Sequence, residues 1–187
     1  MFRLDKLVNI AIVVTCCLVI GSLARNFYLE HKIASRINPS FSKGQVVKLS
    51  GYTPASSETT LVLALSTHCH FCQASTPFYQ RLAAFKSTAP NQLRLVAVLP
   101  EKQDEAAAYL NGHGISTDTV LSMPLSQIGV KGTPTLLLLD GQGKLEDYWV
   151  GLLNDSQQQK ILDRLKKDCL KCSVSAAVKH IQSAARS

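Results

Sequence analysis

No stretch of this 187-residue sequence repeats and none is of low complexity, which excludes solenoids, arrays and biased linkers. Acidic residues are scarce. Thirteen Asp and Glu stand against twenty Lys and Arg, for a net charge of +7. Much of the excess gathers at Lys160, Arg164, Lys166, Lys167 and Lys171. Such a run suits nucleic acid or anionic lipid. No aromatic residue is interleaved with it, which argues against a base-stacking platform. It reads as a solvated helix face, and no nucleic-acid partner is expected. Widely spaced cysteines are also missing. The six cysteines form three close pairs, Cys16/Cys17, Cys69/Cys72 and Cys169/Cys172. Two pairs are C-x-x-C, too short to staple long loops, so redox chemistry or metal binding remains.

Charge is absent altogether from residues 7–24, LVNIAIVVTCCLVIGSLA. Eighteen residues of helix reach about 27 Å, enough for a bilayer core. Phe27 and Tyr28 follow, as interfacial aromatics do. The segment reads as an uncleaved anchor, with Cys16 and Cys17 as small apolar residues inside it. A signal peptide cut after Ala24 is the rival reading. The sequence thus divides into a short cytoplasmic head (1–6), a transmembrane anchor (7–26), a stalk (27–43), a folded domain (44–168) and a tail (169–187) carrying the second C-x-x-C. A short head stays inside, which places the domain on the extracytoplasmic side of a single-pass membrane protein.

The hydrophobic fraction of 46% suffices for one packed domain. Residues 60–65 (TLVLAL), 93–99 (LRLVAVL) and 135–139 (TLLLL) are apolar without alternation, the pattern of strands buried on both faces. A first strand is expected at 45–49, a short one at 119–121 and a return strand through Tyr148–Val150. Asp140-Gly-Gln-Gly143 is hairpin chemistry. Helices are expected from the Cys69 motif to about Lys86, from Pro100 to Gly112 with Glu101, Asp104 and Glu105 in its first turns, and from Ser156. There Ser156 and Gln159 are read as a capping box, and residues 173–187 as a loose tail. The order implies an α/β domain with helices over a mostly parallel sheet.

The segment STHCHFCQASTP, residues 66–77, concentrates the chemistry. Cys69 lies where a buried strand gives way to a helix. There the unpaired N–H groups and the helix dipole favour a thiolate, so Cys69 is the expected nucleophile and Cys72 the resolving thiol. His68 and His70 flank it as candidates for tuning the thiolate. Zinc or copper also accepts Cys and His. A metal-handling or redox-sensing module using His68, Cys69, His70 and Cys72 is therefore the alternative, although a helix beginning at Cys69 splays the histidines apart. No metal and no organic cofactor are assigned.

With Cys69-His-Phe-Cys72 after a buried strand, Pro77 five residues on, Thr133-Pro134 opening a later strand and DGQGK with Gly151 behind it, the sequence resembles the thioredoxin superfamily over about residues 45–168. The longer stretch from Glu101 to Val130 is similar to its membrane-tethered TlpA/ResA-like, redoxin-type branch. The resemblance implies a thioredoxin-like fold with a mostly parallel central sheet and a C-terminal antiparallel hairpin. It implies a thiol–disulfide oxidoreductase, mostly a reductant of protein disulfides outside the cytoplasm (the periplasm). It implies further that Pro134 is cis, that Thr133 and Pro134 bind substrate backbone, and that another membrane protein supplies electrons. Three positions depart from the family. His68 stands for its tryptophan, Leu63 for its buried acid, and His-Phe for its usual inner dipeptides, so no redox potential carries over. Cys169 and Cys172 are read as a structural or accessory pair.

Overall fold

The computed structural model describes residues 14–15, 17–22, 25, 41–55, 58–89 and 92–184, the segment 170–184 as backbone only. The chain divides into two units, Met1–Asn38 and Pro39–Ser187. In the first, residues 14–15, 17–22 and 25 are helical. Most of the expected head, anchor and stalk lies outside the described residues. Among the described residues no helix is long and apolar enough to cross a membrane.

The second unit is built on a five-stranded sheet of order β3-β2-β1-β4-β5. Its strands are β1 (Thr59–Ala64), β2 (Leu93–Leu99), β3 (Thr119–Ser122), β4 (Thr135–Leu139) and β5 (Leu145–Val150). β1 pairs in parallel with β2, and β2 with β3. β4 runs antiparallel to β1 and to β5. β1, β2 and β4 are buried on both faces, as their unbroken apolar runs imply. Leu61, Leu63, Leu65, Leu93, Leu95, Leu99, Leu136 and Leu138 line one face. Val62, Ala64, Val96, Val98, Leu137 and Leu139 line the other.

Four helices complete the unit: α1 (His70–Ala74), α2 (Thr76–Thr88), α3 (Gln103–Gly112) and α4 (Asp155–Ala184). Phe78, Tyr79 and Leu82 of α2, Tyr109 and Leu110 of α3, and Ile161, Leu162 and Leu165 of α4 pack on the first face. The second face is closed by Phe41, Val47, Leu49, Met123 and Ile128, from the entering chain and the short 3-10 helix Leu125–Ile128. Gly129 must be small. Its φ is +76°, and an added Cβ would sit 3.0 Å from the Phe41 ring.

Three sequence expectations need correction. Residues 45–49 make one isolated bridge, Val46 to Lys144, and no strand. Backbone bonds from Gly44 and Val47 to Leu145 and Gly143 (2.7 and 2.9 Å) hold them on the hairpin instead. The capping box of α4 lies two residues earlier than expected. Gln157 N donates to Asn154 Oδ1 and Asn154 N donates to Gln157 Oε1, both at 2.9 Å. Ser156 is therefore inside the helix, and Gln159 donates to Asp163. Residues 173–184 continue α4 rather than forming a loose tail. The basic face of that helix is partly paired, Arg164 meeting Asp147 at 2.8 Å, Glu146 at 3.4 Å and Asp168 at 3.5 Å.

Candidate active site

Strand β1 ends at Ala64, and the chain turns through Ser66 and Thr67 into α1. Cys69 is the N-cap of α1, in extended conformation, and its Sγ accepts from Cys72 N at 3.2 Å. A cap side chain ordinarily satisfies one of the orphan N–H groups of a first turn; here the cap atom is sulfur. On its other side Cys69 Sγ donates to Thr133 O at 3.4 Å. The Thr133–Pro134 peptide is cis, and Pro134 O accepts from Gly151 N at 2.8 Å. Cys69 is half-buried and Cys72 has no exposed surface. Both are free thiols.

These surroundings separate the two sulfurs chemically. Partial burial pushes the Cys69 thiol up. Hydrogen bonds from the Cys72 and Thr133 side chains and from the Cys72 and Phe71 N–H groups outweigh it, and its pKa falls below the ordinary value. Burial pushes Cys72 up, and the hydrogen bond and charge of Cys69 add to it, to about 12. One thiol thus ionises more readily than a free cysteine. The other stays protonated.

Neither histidine hydrogen-bonds a sulfur. The His68 side chain is 83% exposed, with Nδ1 2.9 Å from Thr67 Oγ1 and 3.6 Å from a Glu101 oxygen. His70 opens α1, exposed, its ring edge-on to Phe71 at 5.8 Å. Phe71 is itself exposed beside the sulfur-bearing cap. Among the described residues no three Cys, His, Asp or Glu side chains converge as a metal site requires. Cys169 is buried on α4 behind Leu165, in the same apolar cluster as Cys72. The side chain of Cys172 lies outside the described residues.

Three side chains of this site escape a reading of the sequence. Glu101 lies outside α3, and its carboxylate reaches back to β1's exit. Oε1 accepts from Ser66 Oγ (2.6 Å), Thr67 N (2.9 Å) and Thr67 Oγ1 (3.2 Å). Burial raises its pKa, but these hydrogen bonds prevail and hold it below the usual carboxylate range. The parallel register Ala64↔Val98, continued three residues, sets Thr67 beside Glu101, the one signal the sequence offers. The other two are Tyr79 on α2 and Tyr109 on α3, both buried. Burial first, then the charges of Cys72 and Cys69, raise both phenols, Tyr109 to about 12. Ser75 sits near enough to Tyr79 Oη to ease its ionisation without completing a hydrogen bond. Leu63, in place of a buried acid, is fully buried in the same cluster.

The raised groups set an alkaline limit. Cys72, Tyr79 and Tyr109 all have folded pKa values above their unfolded ones, so their stabilising protonation is complete below the unfolded values of about 8.5 to 10. It is lost as pH climbs through the folded ones. The reduced protein should therefore lose denaturant resistance progressively from about pH 9 to pH 12. Urea midpoints measured across that range check this, and a flat profile contradicts it.

No protein-family model and no curated protein matches the sequence. Solved structures do resemble the fold. A chain from Chlorobium tepidum assigned as the thiol:disulfide interchange protein DsbE has a TM-score of 0.54 at 20% identity, over 70% of this chain and 99% of that one. A thiol:disulfide interchange protein from Bacteroides sp. has a TM-score of 0.54 at 16% identity, over 68% and 92%. The thioredoxin domain of a thiol-disulfide oxidoreductase from Bacteroides vulgatus has 0.51 at 15%, over 67% and 98%. Sequence identity at this level speaks for architecture alone: the chain has a thioredoxin-like fold.

Proposed function

We propose that this protein is a membrane-anchored thiol–disulfide oxidoreductase, a reductant of protein disulfides on the extracytoplasmic side. Cys69 is its nucleophile and Cys72 its resolving thiol. The observation that carries the reading is the Cys69 sulfur itself, capping a helix and facing the carbonyl before Pro134 at 3.4 Å. The fold shared with thiol:disulfide interchange proteins supports it, as does the contrast between a lowered Cys69 pKa and a Cys72 pKa of about 12.

In the forward direction the Cys69 thiolate attacks one sulfur of the partner disulfide. A Cys69–partner bond forms and the partner's second sulfur leaves as a thiolate. Cys72 then displaces the first partner sulfur, closing the Cys69–Cys72 disulfide. The partner gains two electrons, which a membrane electron donor must later restore to the pair. Thr133 and Pro134 present backbone beside the sulfur for an extended partner segment to lie against. The charge-free segment at 7–24 is the anchor, residues 27–43 the stalk, and 44–168 the working domain.

Iodoacetamide alkylation as a function of pH tests the assignment. Cys69 should be alkylated with a midpoint below the ordinary thiol value of about 8.5, while Cys72 resists until the protein unfolds. A Cys69 that reacts no more readily than an ordinary cysteine defeats the reading.

A further inference from the structure

The chain leaves the sheet before it reaches the nucleophile. Leu65 N donates to Val98 O at 3.0 Å, the last bond of the β1–β2 ladder among the described residues. Ser66 to Cys69 then bridge to the mouth of α1. A single carboxylate oxygen holds this bridge. Glu101 Oε1 accepts from Ser66 Oγ at 2.6 Å, Thr67 N at 2.9 Å and Thr67 Oγ1 at 3.2 Å. Thr67 Oγ1 also lies 3.3 Å from Glu105 Oε1. The turn closes around these bonds, His68 N donating to Ser66 Oγ at 3.4 Å and Cys69 N to Ser66 O at 3.2 Å. The amide of the nucleophile is thus one hydrogen bond from a residue that Glu101 grips.

The anchor is itself fixed. Glu101 follows β2 by two residues, and its carbonyl accepts from Ser122 Oγ at the end of β3. The exits of β1, β2 and β3 therefore meet at this one residue. Its side chain is only 9% exposed, and its one ion-pair partner among the described residues is His68, 3.6 Å away and open to solvent. Oε2 has no hydrogen-bond partner. Burying a carboxylate so weakly paired is costly. A charge before a helix would repay that by capping it, yet Lys102 is the N-cap of α3 and no side chain caps that helix. Among the described residues, the hydrogen bonds Glu101 accepts from other side chains and N–H groups all come from the turn before Cys69.

We propose that Glu101 is a positioning residue for the nucleophile. Its carboxylate fixes the Ser66–Thr67 turn so that the Cys69 sulfur meets Cys72 N at 3.2 Å and Thr133 O at 3.4 Å together. This rests on the reading of Cys69 as the nucleophile. The two contacts come from different elements, α1 and the loop before β4, so a shift of the turn disturbs both at once. A misplacement of about 1 Å can cost about a hundredfold in rate. Glu101 acts through the turn and not by its charge, which alone would work the other way, since a nearby anion raises a thiol pKa.

The experiment is iodoacetamide alkylation of the reduced full-length protein across pH, with the Cys69 peptide followed by mass spectrometry. In Glu101→Ala the Cys69 midpoint should rise by about one unit, toward that of an ordinary thiol, so that the thiolate fraction at neutral pH falls about tenfold. Ser66→Ala/Thr67→Val keeps the carboxylate but deletes its hydroxyl donors, and should move the midpoint the same way. Combined with Glu101→Ala it should add nothing further, because both act on one path. Glu101→Gln, whose amide oxygen still accepts, should recover most of the shift. A midpoint that falls in Glu101→Ala and Glu101→Gln alike shows a carboxylate acting by charge and overturns the proposal. An unchanged midpoint with only a lowered thermal midpoint overturns it too. Should Glu101→Ala fail to fold, Ser66→Ala and Thr67→Val, taken singly, decide. A Cys69 in the unsubstituted protein no more reactive than an ordinary cysteine defeats the assignment of the nucleophile instead.

Discussion

Replacing Cys72 with Ala is expected to turn the protein into a trap. Cys69 remains at the mouth of α1 with its lowered pKa, so the first attack proceeds and the partner becomes covalently attached. Release then depends on a dissolved thiol. A well-oriented intramolecular attack has an effective molarity of about 10⁵ M or more. Turnover with a protein disulfide should accordingly fall at least about a thousandfold, while a non-reducing gel shows the adduct near one equivalent. Cys69→Ser should give neither turnover nor adduct. A Cys72→Ala protein turning over within tenfold of the unsubstituted one would mean that another sulfur resolves the intermediate. Mass spectrometry of the trapped adduct would also name the physiological partner.

The largest loss of stability is expected from Leu63→Ala. Leu63 pairs with Ala97 on one side and Leu136 on the other and has no exposed surface. Truncation leaves a cavity in the middle of the sheet's helix-covered face, at a cost of about 2–5 kcal/mol. For a domain of this size that lowers the thermal midpoint by on the order of 10 °C. Leu63→Asp should cost more near pH 7 than near pH 4. Burial in an apolar cluster disfavours the ionised carboxyl, so its folded pKa rises and stability declines as pH passes upward from the unfolded value of about 3.9. Calorimetry of both variants checks the pair. A loss below about 1 kcal/mol for Leu63→Ala would contradict the position assigned to β1.

Much of this could be read from the residues. β2 coincides with the expected Leu93–Leu99, and β4 with Thr135–Leu139, because a strand buried on both faces needs an unbroken apolar run. Residues 45–49 misled for a related reason. Val47 and Leu49 are buried and Val46 is exposed, the alternation of a strand. Yet its backbone bonds to the hairpin amount to a single bridge, too few to make a ladder. At the start of α4 the pattern polar-x-x-Gln occurs at both Asn154 and Ser156, and local sequence did not rank them. The meeting of Cys69 with Thr133 was legible through a motif. Glu101, Tyr79 and Tyr109 were not, since they come from three separate elements and their ordinary local roles, a charge before a helix and two core aromatics, explain them equally well.

The unequal cover of the sheet has a practical consequence. The side without an α-helix is roofed in large part by residues 41–49, with Phe41, Val47 and Leu49 as its shingles. Trimming the chain back to the start of β1 would strip that roof. Val62, Val96 and Leu137 would then be laid open to neighbouring molecules. A cut for a soluble fragment belongs before Phe41.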